Sequence, residues 1–99
     1  MNYKVSNIIN NNGNAAANQF EIRTPNATYF QSYNSVVAKV KNGNVIVSEY
    51  WDYSNTTRKH LYIFLSDHGF SHLCSAQAMR KAIESGEVIE MGVSSLNIE

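Results

Sequence analysis

The chain has few cysteine and proline residues, the types that cross-link a fold and interrupt helices and strands. It has no excess of positive or negative charge. It contains one cysteine and one proline among 99 residues. Because Cys74 has no second thiol to pair with, an intramolecular disulfide is excluded, and with it the bridged framework typical of small secreted domains. We therefore predict a protein of a reducing compartment, the cytoplasm.

Long apolar runs are also missing, and the N-terminus lacks a basic region followed by an apolar core. No run approaches the roughly 20 apolar residues that a membrane-spanning helix needs. The eight basic and eight acidic residues balance, which argues against attraction of the whole surface to nucleic acid or to anionic lipid. We expect no membrane partner.

A chain of this length fits one domain whose core is small. Such a domain buries only about 60–65% of the surface that its unfolded chain exposes. Burial shared with a second copy would add stability, so we expect a homo-oligomer.

Composition divides the chain into a flexible, Asn-rich arm over residues 1–18, a single α+β domain over 19–92 and a short C-terminal tail over 93–99.

Period-two alternation and turn residues predict three strands. The first begins at Gln19, and the second covers Thr28 to Lys41 with a bend or bulge at Ser32 to Ser35. Asn42-Gly43 then predicts a two-residue hairpin turn, because both positions of that turn need a positive φ. This turn sets Val40 opposite Val45 and Ala38 opposite Val47, on the face that we expect to be the core.

Two helices follow in the pattern. Asp52 or Ser54 can cap a helix over about Asn55 to Asp67, and Ser75 can cap a second helix that ends at Gly86. Glu87 to Met91 can return as a short fourth strand. The predicted fold is therefore α+β, a small three-stranded antiparallel meander packed with two helices.

Aromatic residues are concentrated in the middle of the chain, with eight of the eleven between Tyr29 and Phe64. On a sheet, such rings with nearby cations could stack on unpaired bases. The general preference of aromatic side chains for cores and interfaces favours the alternative, a core whose phenol oxygens bond to backbone or solvent. The sequence leaves both readings open.

The segment from Ser54 to His60 offers hydroxyls, backbone amides and two cations at a predicted helix start. These groups suit an anion, although ordinary capping needs the same residue types. Together with the aromatic cluster, this segment supplies the candidate ligand-binding or partner-binding residues: Tyr33, Tyr50, Trp51, Tyr53, Thr56, Thr57, Arg58, Lys59 and His60.

Catalytic and metal-binding patterns are weak. The spacing of His60, His68, His72 and Cys74 does not suit a zinc site, so we expect no metal and no other cofactor. A nucleophilic Cys74 has no orienting group marked by the sequence beyond its neighbour His72. We therefore expect a protein that is not an enzyme.

Several short runs resemble a family of small uncharacterised domains encoded by phages, plasmids and archaeal mobile elements. They are the NQFEI run at Asn18, the YFQSY and VVA runs at Tyr29 and Val36, and the WDYS, TT, KHL and FL runs between Trp51 and Leu65. The resemblance covers about Asn18 to Leu65. It implies a mobile-element origin, with the host cytoplasm as the compartment, and it brings no catalytic residues.

Together these observations favour a non-enzymatic accessory binding protein of a phage or mobile element. Its partner would be an unknown host protein or a small ligand, and inhibition of a host defence system is one such role. One alternative is a nucleic-acid-binding regulator that uses the central cations, which are Arg23, Lys39, Lys41, Arg58 and Lys59. Another is a structural or assembly subunit.

Overall fold

The computed structural model describes residues 3–92, 96 and 98, which form a six-stranded sheet with two helices. The strands are β1 (Lys4–Ile9), β2 (Ala15–Arg23), β3 (Thr28–Ser32), β4 (Ser35–Lys41), β5 (Asn44–Ser48) and β6 (Val88–Met91). A 3₁₀ turn (Glu49–Asp52) leads into helix α1 (Asn55–Asp67), and helix α2 (Ala76–Ser85) follows. The predicted three-stranded meander is therefore wrong.

The sheet is mixed, and its spatial order is the chain order from β1 to β6. The first five strands pair antiparallel, whereas β6 pairs parallel with β5, with Val45 opposite Val88. A parallel neighbour needs a long crossover. The 3₁₀ turn, α1 and α2 supply that crossover, and they place the segment predicted as a fourth strand at the sheet's far edge.

The N-terminal residues expected to form an arm are instead part of the sheet. β1 pairs with β2 from Lys4 opposite Arg23 to Ile9 opposite Ala15. This pairing was hidden in the sequence because β1 is an edge strand and only Ile8 among its six side chains is buried. The remainder of the predicted arm, residues 1–2, and positions 93–95, 97 and 99 of the predicted tail lie outside the described residues.

The long second run is two strands joined by a tight turn. Ser32 pairs with Ser35, so Tyr33 and Asn34 form the hairpin loop. Val37 is an extra residue between the pairs of β3 and β4, a β-bulge. The bulge places Val37 in the main core, and Val36 packs on the opposite face. Uninterrupted alternation from the Asn42-Gly43 turn would have placed Val36 on the core face and Val37 on the opposite face, so the bulge reverses these two valines.

The predicted hairpin at Asn42-Gly43 is confirmed. Asn42 and Gly43 have φ values of 52° and 79°, the positive angles that the turn requires. Lys41 pairs with Asn44, Val40 with Val45 and Ala38 with Val47, which is the predicted register.

Both helices also occupy the predicted residues. Ser54 and Ser75 are their N-caps, accepting from the N–H groups of Thr57 and Ala78, and Gly86 ends α2 in the left-handed conformation. The helices cover one face of the sheet and enclose the main core. That core contains Phe30, Ala38, Val45, Val47, Leu61, Phe64, Leu65, Leu73, Met79 and Val88.

The other face of the sheet carries a smaller apolar cluster. Ile22, Ala27 and Tyr29 are buried there, with Val36 and Ile98 packed against them. The Lys39 ammonium lies 5.6 Å from the centroid of the Tyr29 ring. Residues on both faces are therefore excluded from solvent, which explains why so small a chain contains a fully buried tyrosine on the face away from the helices. Neither described helix has the length and apolar content needed to cross a bilayer.

Trp51 fixes the junction between sheet and helices. Its side chain is 3% exposed, and its indole N–H donates to Glu90 Oε2 at 2.7 Å. The Arg80 guanidinium lies 5.8 Å from the ring centroid. The ring therefore ties the 3₁₀ turn to α2 and to β6.

Replacing Trp51 by Ala should lower the free energy of unfolding by about 3–5 kcal/mol, because a buried ring is lost and a cavity remains. Trp51→Phe is the control, since it keeps a six-membered aromatic ring in the core while it removes the bond to Glu90 and part of the indole volume. Urea denaturation followed by far-UV circular dichroism measures both. A loss below about 1 kcal/mol for the Ala variant would contradict the anchoring role.

The ionisation of Glu21 predicts how the free energy of unfolding changes as the pH falls. Burial acts to raise the pKa of Glu21, but the hydrogen bonds and charges of His68 and Arg23 outweigh burial and hold the pKa below its ordinary value. The stabilisation is therefore complete above the ordinary pKa of glutamate, and it is lost as pH falls through the lower folded-state value. Between pH 6 and pH 3, Glu21→Gln should show a smaller decline in unfolding free energy than the wild type. Parallel declines would exclude this contribution.

A tyrosine-lined cleft as the candidate functional site

An open cleft lies where the β3–β4 turn meets the start of α1. Its volume is about 640 Å³, within the range of ligand pockets. We call it the tyrosine cleft and define it by its lining residues: Ser32, Tyr33, Asn34, Ser35, Val37, Tyr50, Tyr53, Ser54, Thr56 and Thr57. Tyrosine is the only ionisable residue type in this lining.

Tyr33 stands on the rim in an unusual backbone conformation. Its φ is 54°, in the left-handed region that a bulky side chain rarely adopts. The Tyr33 N–H donates to the Asn18 carbonyl at 2.7 Å, and the Gln31 side-chain amide donates to the Tyr33 carbonyl at 2.8 Å. These bonds hold the turn against its conformational cost, and the ring remains 55% exposed.

The opposite rim is formed by Tyr50 and Tyr53, which are 42% and 77% exposed. Their ring centroids are 6.1 Å apart, and the rings meet edge to face. Ser48 Oγ accepts from the Tyr50 N–H, and the Tyr53 N–H donates to the Tyr50 carbonyl. The 3₁₀ turn therefore holds the backbone beneath both rings before any ligand arrives.

Hydroxyl groups link the two sides of the cleft. Thr57 Oγ1 lies 3.3 Å from Ser32 Oγ, and the Ser54 hydroxyl donates to Thr57 Oγ1 at 3.1 Å. Ser54 Oγ also accepts from the Thr57 N–H as the cap of α1. Because hydroxyls can donate or accept, this network can reorient toward either kind of ligand group.

Gln19 lies beside this network in an unsatisfied state. It is the cross-strand partner of Ser32 and is fully buried, yet neither its amide oxygen nor its amide nitrogen has a hydrogen-bond partner within the described part of the chain. Buried amides without partners are rare, because each costs free energy relative to water. β2 thus carries, opposite Ser32, a buried donor and a buried acceptor with unused bonding capacity.

The nearest charged groups compensate one another outside the cleft. Asp52 accepts from Arg58 at 2.6 Å and from Arg80 at 2.8 Å. Although desolvation acts to raise the pKa of Asp52, the two guanidinium groups hold it below its ordinary value. Arg58 also donates to Asn55 and to the Asp52 carbonyl. This cluster therefore braces the start of α1 and leaves the cleft lining neutral.

The structure brings five of the nine candidate residues together and places four elsewhere. Tyr33, Tyr50, Tyr53, Thr56 and Thr57 line the cleft. The cleft is also lined by residues that were not predicted as candidates: Ser32, Asn34, Ser35, Val37 and Ser54. For four of them the sequence does carry a signal, the Ser-Tyr-Asn-Ser turn and the helix cap.

The remaining four candidates have other positions. Trp51 is buried as the anchor described above. His60 is buried in α1, with Nδ1 2.7 Å from the Thr56 carbonyl oxygen. Arg58 and Lys59 line a separate groove along α1 that also includes Tyr62. Side chains adjacent in sequence thus point to different surfaces of the helix.

The other potential ligands of metals are dispersed. His68 Nε2 lies 2.8 Å from Glu21 Oε1, His72 pairs with Glu87, and Cys74 is exposed. Within residues 3–92, 96 and 98, no three His, Cys, Asp or Glu side chains come together as a metal site would require.

The strain at Tyr33 can be measured by comparing two substitutions. The free energy of unfolding should be about 1 kcal/mol higher for Tyr33→Gly than for Tyr33→Ala, because glycine adopts a positive φ without the Cβ penalty. Asn34→Gly and Asn34→Ala form the matched pair, since Asn34 has no positive φ and glycine there gains no such relief. Chemical denaturation measures all four variants. If Tyr33→Ala proves as stable as Tyr33→Gly, the turn is not strained.

Comparisons with known proteins give one match. No curated protein and no solved structure matches the chain. Residues 3–81 match a family of unknown function, DUF8033, whose extent includes five of the six strands, α1 and most of α2. This agrees with the expected likeness to a small uncharacterised domain and extends it in both directions. The match spans the whole tyrosine cleft, and the chain belongs to this family of unknown function, DUF8033.

Proposed function

We propose that the protein is a non-enzymatic binding protein that engages a host macromolecule or a small ligand through the tyrosine cleft. The observation that carries this proposal is the exposure of three tyrosine rings around a preformed, hydroxyl-lined concavity. Tyrosine gives a large contact area at a low cost in side-chain entropy, and serine and asparagine supply adaptable hydrogen bonds. Tyrosine is also among the residues that contribute most to binding energy at protein interfaces.

The chemistry of the lining supports binding over catalysis. No carboxylate, imidazole, thiol or amine belongs to the cleft lining. General acid–base catalysis near neutral pH most often uses groups of those kinds, although tyrosine can also serve, and a nucleophilic hydroxyl needs an adjacent base. The hydroxyls of Ser32, Ser54 and Thr57 bond to one another, and among the described residues none of them has a hydrogen bond to such a base.

The resemblance of Asn18 to Leu65 to domains of phages, plasmids and mobile elements supports an accessory role in the host cell. A component of the host, such as a defence protein or its signal molecule, is then the expected partner. The resemblance thus indicates that the protein acts in the host cell, and the tyrosine cleft is the surface through which it would bind its partner.

Tyr53→Ala should abolish partner capture without changing stability, because the ring is 77% exposed and packs only edgewise on Tyr50. Tyr3→Ala is the matched control, since the Tyr3 ring is also exposed, at 48%, and lies outside the cleft. Immobilised wild type and both variants would be compared with host lysate and with a metabolite library. Bound species are identified by mass spectrometry.

The expected result is a species retained by the wild type and by Tyr3→Ala and lost from Tyr53→Ala. The proposal fails if every retained macromolecule and metabolite binds Tyr53→Ala as well as it binds the wild type. Thermal denaturation of the three proteins confirms that the comparison is between folded chains.

A further inference from the structure

We infer that the ligand of the tyrosine cleft is a nucleobase-bearing small molecule, a free nucleoside or nucleotide. This inference rests on the proposed function, since it names the chemical class that the same cleft would take. Four features of the cleft support it: the aromatic rings, the polar groups, the charge and the volume.

The rings supply flat apolar surface that is already partly exposed to solvent. Tyr33 is held on one rim, and Tyr50 and Tyr53 form the other. Planar bases stack on aromatic side chains, and this stacking tolerates different bases because every base has a π face. The edge-to-face contact of Tyr50 with Tyr53 keeps these two rings from stacking on each other.

The polar groups between the rims suit the edge of a base and the hydroxyls of a ribose. Asn34 presents an amide, which can donate and accept side by side as the edge of a base requires. The Ser32, Ser54 and Thr57 hydroxyls can serve a ribose, whose own hydroxyls both donate and accept. The buried Gln19 amide, opposite Ser32 in the β2–β3 register, has no hydrogen-bond partner among the described residues and so retains both a donor and an acceptor.

The charge of the cleft distinguishes binding of a free nucleoside or nucleotide from binding of a nucleic-acid strand. Strand binding depends on cations that neutralise successive phosphates. The cleft lining has no Lys or Arg, and the two nearest guanidinium groups bind Asp52. Lys59 lines the separate groove along α1, and Lys39 is buried near Tyr29 on the far face of the sheet. In the part of the chain that the structure describes, the cleft therefore offers no lining cation to pair with a phosphate.

The volume sets the scale of the ligand. About 640 Å³ lies in the range that holds a single small molecule. The cleft therefore has room for one base with its sugar. A phosphate on that ligand would reach solvent at the open side without a dedicated cation.

The experiment titrates the full chain with adenosine, guanosine, cytidine and uridine, and with their 5′-monophosphates, followed by isothermal calorimetry and by the NMR signals of tyrosine. At least one nucleoside should bind at micromolar to low-millimolar concentration. Its monophosphate should bind with similar affinity, and added salt should change neither affinity strongly. Tyr53→Ala should weaken binding by about 5- to 150-fold, the range expected for loss of one stacking ring.

Two variants serve as controls. Tyr53→Phe retains the ring and should bind within a few-fold of the wild type, whereas Tyr3→Ala removes an exposed tyrosine outside the cleft and should bind normally. Thermal denaturation of each variant separates loss of the ligand contact from loss of the fold.

The remaining outcomes divide the two proposals. Binding of oligo(dT) or oligo(U) alone, with affinity falling steeply as salt rises, overturns the free-ligand inference. The inference also fails if no nucleoside or monophosphate binds while a lysate protein or a neutral disaccharide is retained in a Tyr53-dependent way, an outcome that leaves the proposed function standing. If nothing bound depends on Tyr53, both proposals are overturned.

Discussion

The anchoring of Trp51 is the constraint on which the rest of the structure depends. The chain leaves the sheet after Ser48 and must turn onto its face before α1 can begin. Trp51 is buried at this corner and bonds to Glu90 on β6, while neighbouring Asp52 binds Arg58 of α1 and Arg80 of α2. Two consecutive residues thus connect the 3₁₀ turn to both helices and to the last strand, and the position of every residue on that side of the cleft follows from them.

The same corner separates the residues that hold the fold from those that can meet a ligand. Trp51 turns inward, whereas Tyr50 and Tyr53 turn outward from the same short helical turn. The other rim depends on Tyr33, whose left-handed backbone is fixed by bonds to Asn18 and Gln31. A cleft built in this way needs little ordering when a ligand binds, which favours affinity by lowering the entropic cost of association.

Local chemistry predicted the features whose causes are local. The Asn42-Gly43 turn, the caps Ser54 and Ser75 and the end at Gly86 are each set by one residue's φ or side-chain hydrogen bond. Features with non-local causes were missed. β1 contributes only Ile8 to the core, so its sequence has no clear alternation, and the parallel pairing of β6 depends on a crossover that no residue of β6 encodes. For the site, adjacency in sequence grouped Arg58 and Lys59 with Thr57, but the turn of the helix directs them away.

Exposure alone does not distinguish the cleft from other apolar surface. In the part of the chain that the structure describes, the large exposed hydrophobic residues also include Tyr3 just before β1, Val5 and Ile9 on β1, and Ile89 and Met91 on β6. Those residues lie along the two edges of the sheet, where strands present unpaired backbone groups and a flat surface. The rings of Tyr33, Tyr50 and Tyr53 instead surround a concavity that contains hydroxyl and amide groups. A concavity buries more of a small ligand than an edge can, so its shape and polar lining, more than the number of exposed rings, make the cleft the candidate site.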